Sequence, residues 1–135
     1  MKKYVLDANA VLDFVDAGPG AQRVRALLHE AHEHRAGVAI SVLNWGEVFY
    51  LLWERRGEEK ANRTLSQISR LPLEIVPVDL AIALKAGQIK AVHKIPYVDS
   101  VAAALAVLRQ ATLVTSDRDF EKLGRHFPIL WIARP

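Results

Sequence analysis

The 135-residue sequence contains no cysteine. Disulfide scaffolds, zinc–thiolate centres and thiol nucleophiles are therefore excluded. It also lacks any apolar run approaching the roughly 18–20 residues that a membrane helix needs. The opening Met1-Lys2-Lys3-Tyr4-Val5-Leu6-Asp7 reaches an acid after three apolar residues, which does not fit a signal peptide. These absences lead us to expect a cytoplasmic chain with no membrane association. No internal repeat, low-complexity segment or linker interrupts it, so residues 1–135 read as one domain. There is no Walker lysine motif. Gly18-Pro19-Gly20 follows no strand and so is not a phosphate loop. The run His29-Glu30-Ala31-His32-Glu33-His34 has the wrong spacing for His-Glu-x-x-His and reads as a solvated helix face.

The charge present is mildly basic, with 18 Lys and Arg against 15 Asp and Glu, a net +3. Its densest basic group is Arg55, Arg56, Lys60, Arg63 and Arg70. Such a surface tolerates nucleic acid but is equally that of an ordinary protein.

Short β-branched runs alternate with helical ones. Strands are expected at 4–6, 38–40, 73–78, 112–115 and 129–132, the third at a sheet edge because Pro77 cannot donate to a ladder. Helices are expected from near Asn9, over 19–35, 41–56, 58–71, 79–94 and 97–110, with a short one over 119–124. The alternation predicts an α/β fold, a mainly parallel central sheet sandwiched by helices.

Most acids fall on polar helical faces, but four do not. Asp7 ends the first strand and Asp117 follows the fourth by two residues, which places both on the rim where open parallel sheets bind ligands. Glu47 lies on a helix that is apolar nearly all round, from Val42 to Trp53. Asp99 opens the alanine-rich helix Tyr97 to Leu108, polar only at Asp99 and Ser100. Asp7, Asp99 and Asp117 could each instead be a helix cap, and Glu47 could reach solvent. Four such acids together suit hard oxygen ligation of Mg²⁺ or Mn²⁺ and metal-assisted attack on a phosphodiester. Asp13, Asp16 and Asp79 read as a surface pair and a cap.

In order along the chain, Tyr4-Val5-Leu6-Asp7-Ala8-Asn9, Asn44-Trp45-Gly46-Glu47-Val48, Ile95-Pro96-Tyr97-Val98-Asp99-Ser100 and Leu113-Val114-Thr115-Ser116-Asp117-Arg118-Asp119-Phe120 resemble the motifs of PIN-domain nucleases, in particular the VapC-type toxins of toxin–antitoxin pairs. The resemblance spans nearly the whole chain. It implies a PIN-like fold and a metal-dependent endoribonuclease using Mg²⁺ or Mn²⁺ at Asp7, Glu47, Asp99 and Asp117, supported by Asn9, Thr115 and Asp119. It implies an RNA substrate, a homodimer and a cognate antitoxin protein as partners. Two other readings stay open. One is a PIN-like RNA- or protein-binding module with a dead site. The other is a haloacid-dehalogenase-like phosphatase, although Asn9 stands where that chemistry wants a second acid. The apolar helix 41–53 further suggests a dimer contact or an antitoxin groove.

Overall fold

The computed structural model describes residues 1–133. In chain order the elements are β1 (Lys2–Leu6), α1 (Ala8–Val15), α2 (Ala21–His32), β2 (Ala36–Ser41), α3 (Val42–Arg56), α4 (Glu58–Ile68), β3 (Glu74–Val76), α5 (Leu80–His93), α6 (Tyr97–Arg109), β4 (Thr112–Thr115), a 3-10 helix (Arg118–Leu123) and β5 (Ile129–Trp131). The five strands form one sheet in the order β3-β2-β1-β4-β5, and every adjacent pair is parallel. β3 is an edge, where Pro77 leaves no ladder donor missing.

The sheet is buried on both sides, and the period-2 alternation of side chains divides the core in two. Val5, Ala39 and Leu113 face α5 and α6. Their neighbours Leu6, Val38, Ile40 and Val114 face the layer containing α1, α2, α3 and α4. α6 is the most deeply packed helix, with Ser100 through Ala106 all buried. Its run of alanines lets the backbone lie close to the sheet.

Short polar caps set where the helices begin. The Asp7, Ser41 and Asp79 side chains accept the Ala10, Asn44 and Ile82 amides and start α1, α3 and α5. Gly57, at φ +85°, ends α3 and opens α4 in a conformation that disfavours a side chain. Between α1 and α2, Asp13 accepts the Gly20 amide at 3.1 Å. A β-carbon on Gly20 would sit 2.7 Å from that carboxylate and 2.6 Å from Ile132. This turn consumes residues 18–20, so α2 starts at Ala21 and not at Pro19. Of the two acids expected at the surface, Asp16 is exposed and Asp13 is half-buried. Asp13 holds the turn, while Asp16 binds Arg55 and Arg56.

Candidate active site

Moving outward from the centre, the strand order changes direction between β1 and β4, which opens a crevice beyond their carboxyl ends. Asp7 leaves β1 there and Asp117 leaves β4. A hydrogen-bond chain joins the two ends. Asp7 Oδ1 accepts the Ala10 amide at 2.8 Å, and Asp7 Oδ2 accepts the Thr115 hydroxyl at 2.5 Å. The Thr115 oxygen accepts the Asp117 amide at 2.9 Å, and Asp117 Oδ1 accepts the Asp119 amide at 2.9 Å. Both Asp7 and Asp117 therefore cap the helices that follow them. Capping does not consume them, because each carboxylate has a second oxygen and spare lone pairs.

Asp99 does not cap α6. It stands in the first turn, while the cap position is Pro96, which makes no side-chain bond. Glu47 is half-buried in the second turn of α3, feels the charge of Asp117 and adds its own to the repulsion at Asp99, which places it at the same crevice. Single carboxylate oxygens of Asp99, Asp117 and Asp119 come within 4.8 Å of one another. Asn9 is half-buried in the first turn of α1. The structure thus brings Asp7, Glu47, Asp99, Asp117 and Asp119 to one rim, with Thr115 beneath them.

The electrostatics follow from this crowding. Burial pushes Asp7 up to about 7, although the Thr115 and Ala10 hydrogen bonds oppose it; Asp99 and Asp117 add repulsion. Burial also carries Asp99 to about 7, reinforced by Asp117, Glu47 and Asp119 in that order. Glu47 is raised by burial, then pulled back by Asn44 and raised again by Asp117. Asp117 perturbs Asp7, Glu47 and Asp99, whereas exposed Asp119 perturbs Asp99 alone. That asymmetry makes Asp117 the more central of the pair. Among the described residues, no Lys, Arg or His forms an ion pair with any of these acids.

The donor set fits a small hard cation. All the donors are carboxylate oxygens, and oxygens about 2.1 Å from Mg²⁺ lie roughly 3–4.2 Å apart across an octahedron. The separation of up to 4.8 Å needs only a slight contraction to reach that spacing. Asp99, Asp117 and Asp119 would hold such an ion directly. Asp7 and Glu47 would complete its surroundings.

Two residues with roles here carried no expectation from sequence. Asn44 is fully buried. Its side chain accepts the Ser41 hydroxyl at 2.5 Å and donates to the Val98 carbonyl at 3.3 Å, tying α3 to the residue before Asp99. Its signal was a polar residue three positions after a capping serine on an otherwise apolar helix. Arg118, between Asp117 and Asp119, stacks on Trp131 with its guanidinium carbon 4.4 Å from the ring centroid. A hollow of about 510 Å³ beside Thr112 lies at the opposite end of β4 and contains none of these acids.

Residues 4–126 match the family described as the PIN domain. No curated protein matches the sequence significantly. Among solved structures, the chain superposes on VapBC from Salmonella typhimurium, solved bound to DNA, with a TM-score of 0.76 at 22% identity over 98% of this chain and 100% of that one. It superposes on VapBC2 from Rickettsia felis, bound to a DNA fragment from its promoter, with a TM-score of 0.76 at 22% identity over 95% and 97%. A third is Mycobacterium tuberculosis VapC20, described as a sarcin-ricin loop cleaving toxin, with a TM-score of 0.71 at 18% identity over 90% and 95%. At these identities the likeness concerns the fold.

Proposed function

The chain belongs to the PIN-domain family, and from that premise we propose that it is a divalent-metal-dependent endoribonuclease, the cytoplasmic toxin of a VapC-type toxin–antitoxin pair. One observation carries the reading. Five carboxylates converge on the switch-point crevice with no cationic side chain to neutralise them among the described residues. A fold keeps such repulsion when the balancing charge comes from a ligand. The whole chain acts as one PIN-like unit in this proposal.

The residues divide the work by position. Asp99, Asp117 and Asp119 supply oxygens at the crevice mouth, and Glu47 completes the surroundings beside them. Asp7 sits deepest, and the Thr115 hydroxyl fixes its orientation. Thr115 also fixes the Asp117 backbone, so one hydroxyl sets the spacing of the β1 and β4 acids. Asn9, two residues on from the Asp7 cap, would donate to substrate or water. Mg²⁺ or Mn²⁺ bound here would acidify a water and offset charge developing on the phosphate. A carboxylate of this cluster would take the proton of the attacking water.

The same reading includes partners. Leu43, Tyr50 and Trp53 on α3 and Leu80, Leu84 and Val92 on α5 are large apolar side chains left exposed. We assign these helix faces to a homodimer contact and to the antitoxin, in keeping with the VapBC complexes that share the fold. Light scattering at high concentration is expected to give twice the chain mass. A strictly monomeric species would rule the dimer out.

For the activity, EDTA is expected to abolish cleavage of structured RNA, and Mg²⁺ or Mn²⁺ to restore it, while Asp7→Asn stays inactive in either metal. Cleavage at full rate in EDTA would sink the metal mechanism. A wild type inactive under every metal condition would leave a binding module.

A further inference from the structure

A phosphodiester seated among five carboxylates is repelled along its length, so its neighbouring phosphates need cationic surface nearby. Three members of the basic group that stands out in the sequence are already engaged by acids. Arg55 and Arg56 are tied to Asp16, and Arg63 is paired with Glu59.

The other side of the rim differs. Trp131 of β5 lies abreast of Thr115, the residue that holds Asp7. Arg118 covers the Trp131 ring, and its polar contacts are slack. One nitrogen lies 3.3 Å from Glu121, another 3.4 Å from the Ala133 carbonyl, and Nε is buried without a partner among the described residues. The stacked pair borders two hollows. One, of about 440 Å³, is walled by Arg23, Arg118 and Trp131, and the other, of about 370 Å³, by Arg118, Arg125 and Trp131. Arg23 donates to the Trp131 carbonyl at 2.8 Å, and its remaining N–H groups have no acceptor among the described residues. Among the described residues no carboxylate pairs with Arg23 or Arg125.

We infer that Arg23, Arg118 and Arg125, arranged around Trp131, form the track for the single-stranded RNA segment next to the scissile phosphate, with one backbone phosphate seated between Arg23 and Arg118. A phosphate there replaces the two long contacts of Arg118 with charge-assisted bonds. The guanidinium plane, backed by the indole, offers a stacking face to an unpaired base. Each hollow has room for about one nucleotide and not for a duplex. The inference rests on the ribonuclease reading for its substrate, but it makes a separate measurement possible.

The probe is a fluorescein-labelled single-stranded RNA of mixed sequence, titrated in EDTA or Ca²⁺ across a series of KCl concentrations. For single strands, each phosphate contact contributes about 0.7 to the slope of log affinity against log salt. Arg23→Gln and Arg118→Gln are each expected to lower the slope by about 0.7 and to weaken binding several-fold at low salt. Arg63→Gln, paired on α4, is expected to keep the wild-type slope. If Arg118→Gln fails to fold, Arg23→Gln decides alone, since that side chain is exposed. A wild-type slope for Arg23→Gln overturns the track, as does an equal loss in Arg63→Gln, tighter binding of blunt duplex RNA, or no binding by wild type in either buffer. Cleavage by wild type with an unchanged Arg23→Gln slope removes the track and leaves the nuclease. A reduced slope in a chain that never cleaves keeps the track and removes the nuclease.

Discussion

Asp99→Asn is expected to cut RNA cleavage by about 10²–10³-fold and to raise the melting temperature of the metal-free protein at pH 7 by up to about 3 °C. The two effects come from one cause. The Asp99 carboxylate is held at about 7 by burial and by Asp117, Glu47 and Asp119. A carboxylic acid whose folded-state pKa exceeds its unfolded value binds its proton more tightly in the folded chain. The folded state is therefore unpenalised below pH ~4, where both forms are protonated. Stability is lost as pH rises from there through about 7, and the full cost is present above that. Asp99 is only partly buried, and water screens much of the repulsion, so about 1 kcal/mol remains at pH 7. Asparagine keeps the shape and removes the charge. It also forfeits the favourable placement of an anion in the first turn of α6, about 0.3–1 kcal/mol, which sets the lower end of the gain.

Melting scans at pH 4, 5.5 and 7, with and without Mg²⁺, check both halves. The advantage of Asp99→Asn over wild type should be small at pH 4 and grow towards pH 7. Added Mg²⁺ should raise the wild type more than the variant, since ligand binding to the folded form stabilises in proportion to affinity. If Asp99→Asn melts well below wild type without metal and gains equally from Mg²⁺, then Asp99 is a structural residue of α6.

Asp99 also marks how far the sequence could be read. Its capping alternative was settled by geometry, because the α6 cap falls at Pro96. For Asp7 and Asp117 capping and crowding coexist, since one oxygen caps and the carboxylate still faces the crevice. The strands were legible because a sheet covered on both faces demands short β-branched runs, and Pro77 announced an edge. Strand order is a matter of pairing between distant segments, and local pattern does not carry it. Helix ends shifted where side chains decided them. α2 begins at Ala21 because Asp13 claims the Gly20 amide, and α4 stops at Ile68, three residues before the expected end. The acids stood out as charges on an apolar background. Asn44 and Arg118 did not, because their meaning lies in contacts with Val98 and Trp131, far away along the chain.

Asn44→Ala is expected to lower stability by about 2–4 kcal/mol and to raise the Mg²⁺ concentration for half-maximal cleavage by about 10–100-fold. Asn44 is fully buried, and alanine leaves the Ser41 hydroxyl without its acceptor and the Val98 carbonyl without its donor. Unpartnered buried groups account for the stability loss. The functional loss has a separate route. Glu47 lies three residues on from Asn44 along α3, and Asp99 directly follows Val98, so the Asn44 link sets the distance between two acids of the cluster. Asn44 also lowers the Glu47 pKa, which burial and Asp117 otherwise raise. Without it Glu47 keeps its proton to higher pH and competes with the metal there. The acid limb of the pH–rate profile should therefore move upward at fixed Mg²⁺ and return towards wild type as Mg²⁺ saturates. A positioning residue predicts that pattern: cleavage largely recovered at high Mg²⁺, with the half-saturation point displaced. Urea denaturation measures the stability change independently. A variant that loses stability while its Mg²⁺ midpoint and acid limb stay at wild-type values would confine Asn44 to holding α3 against α6, with no part in placing the acids.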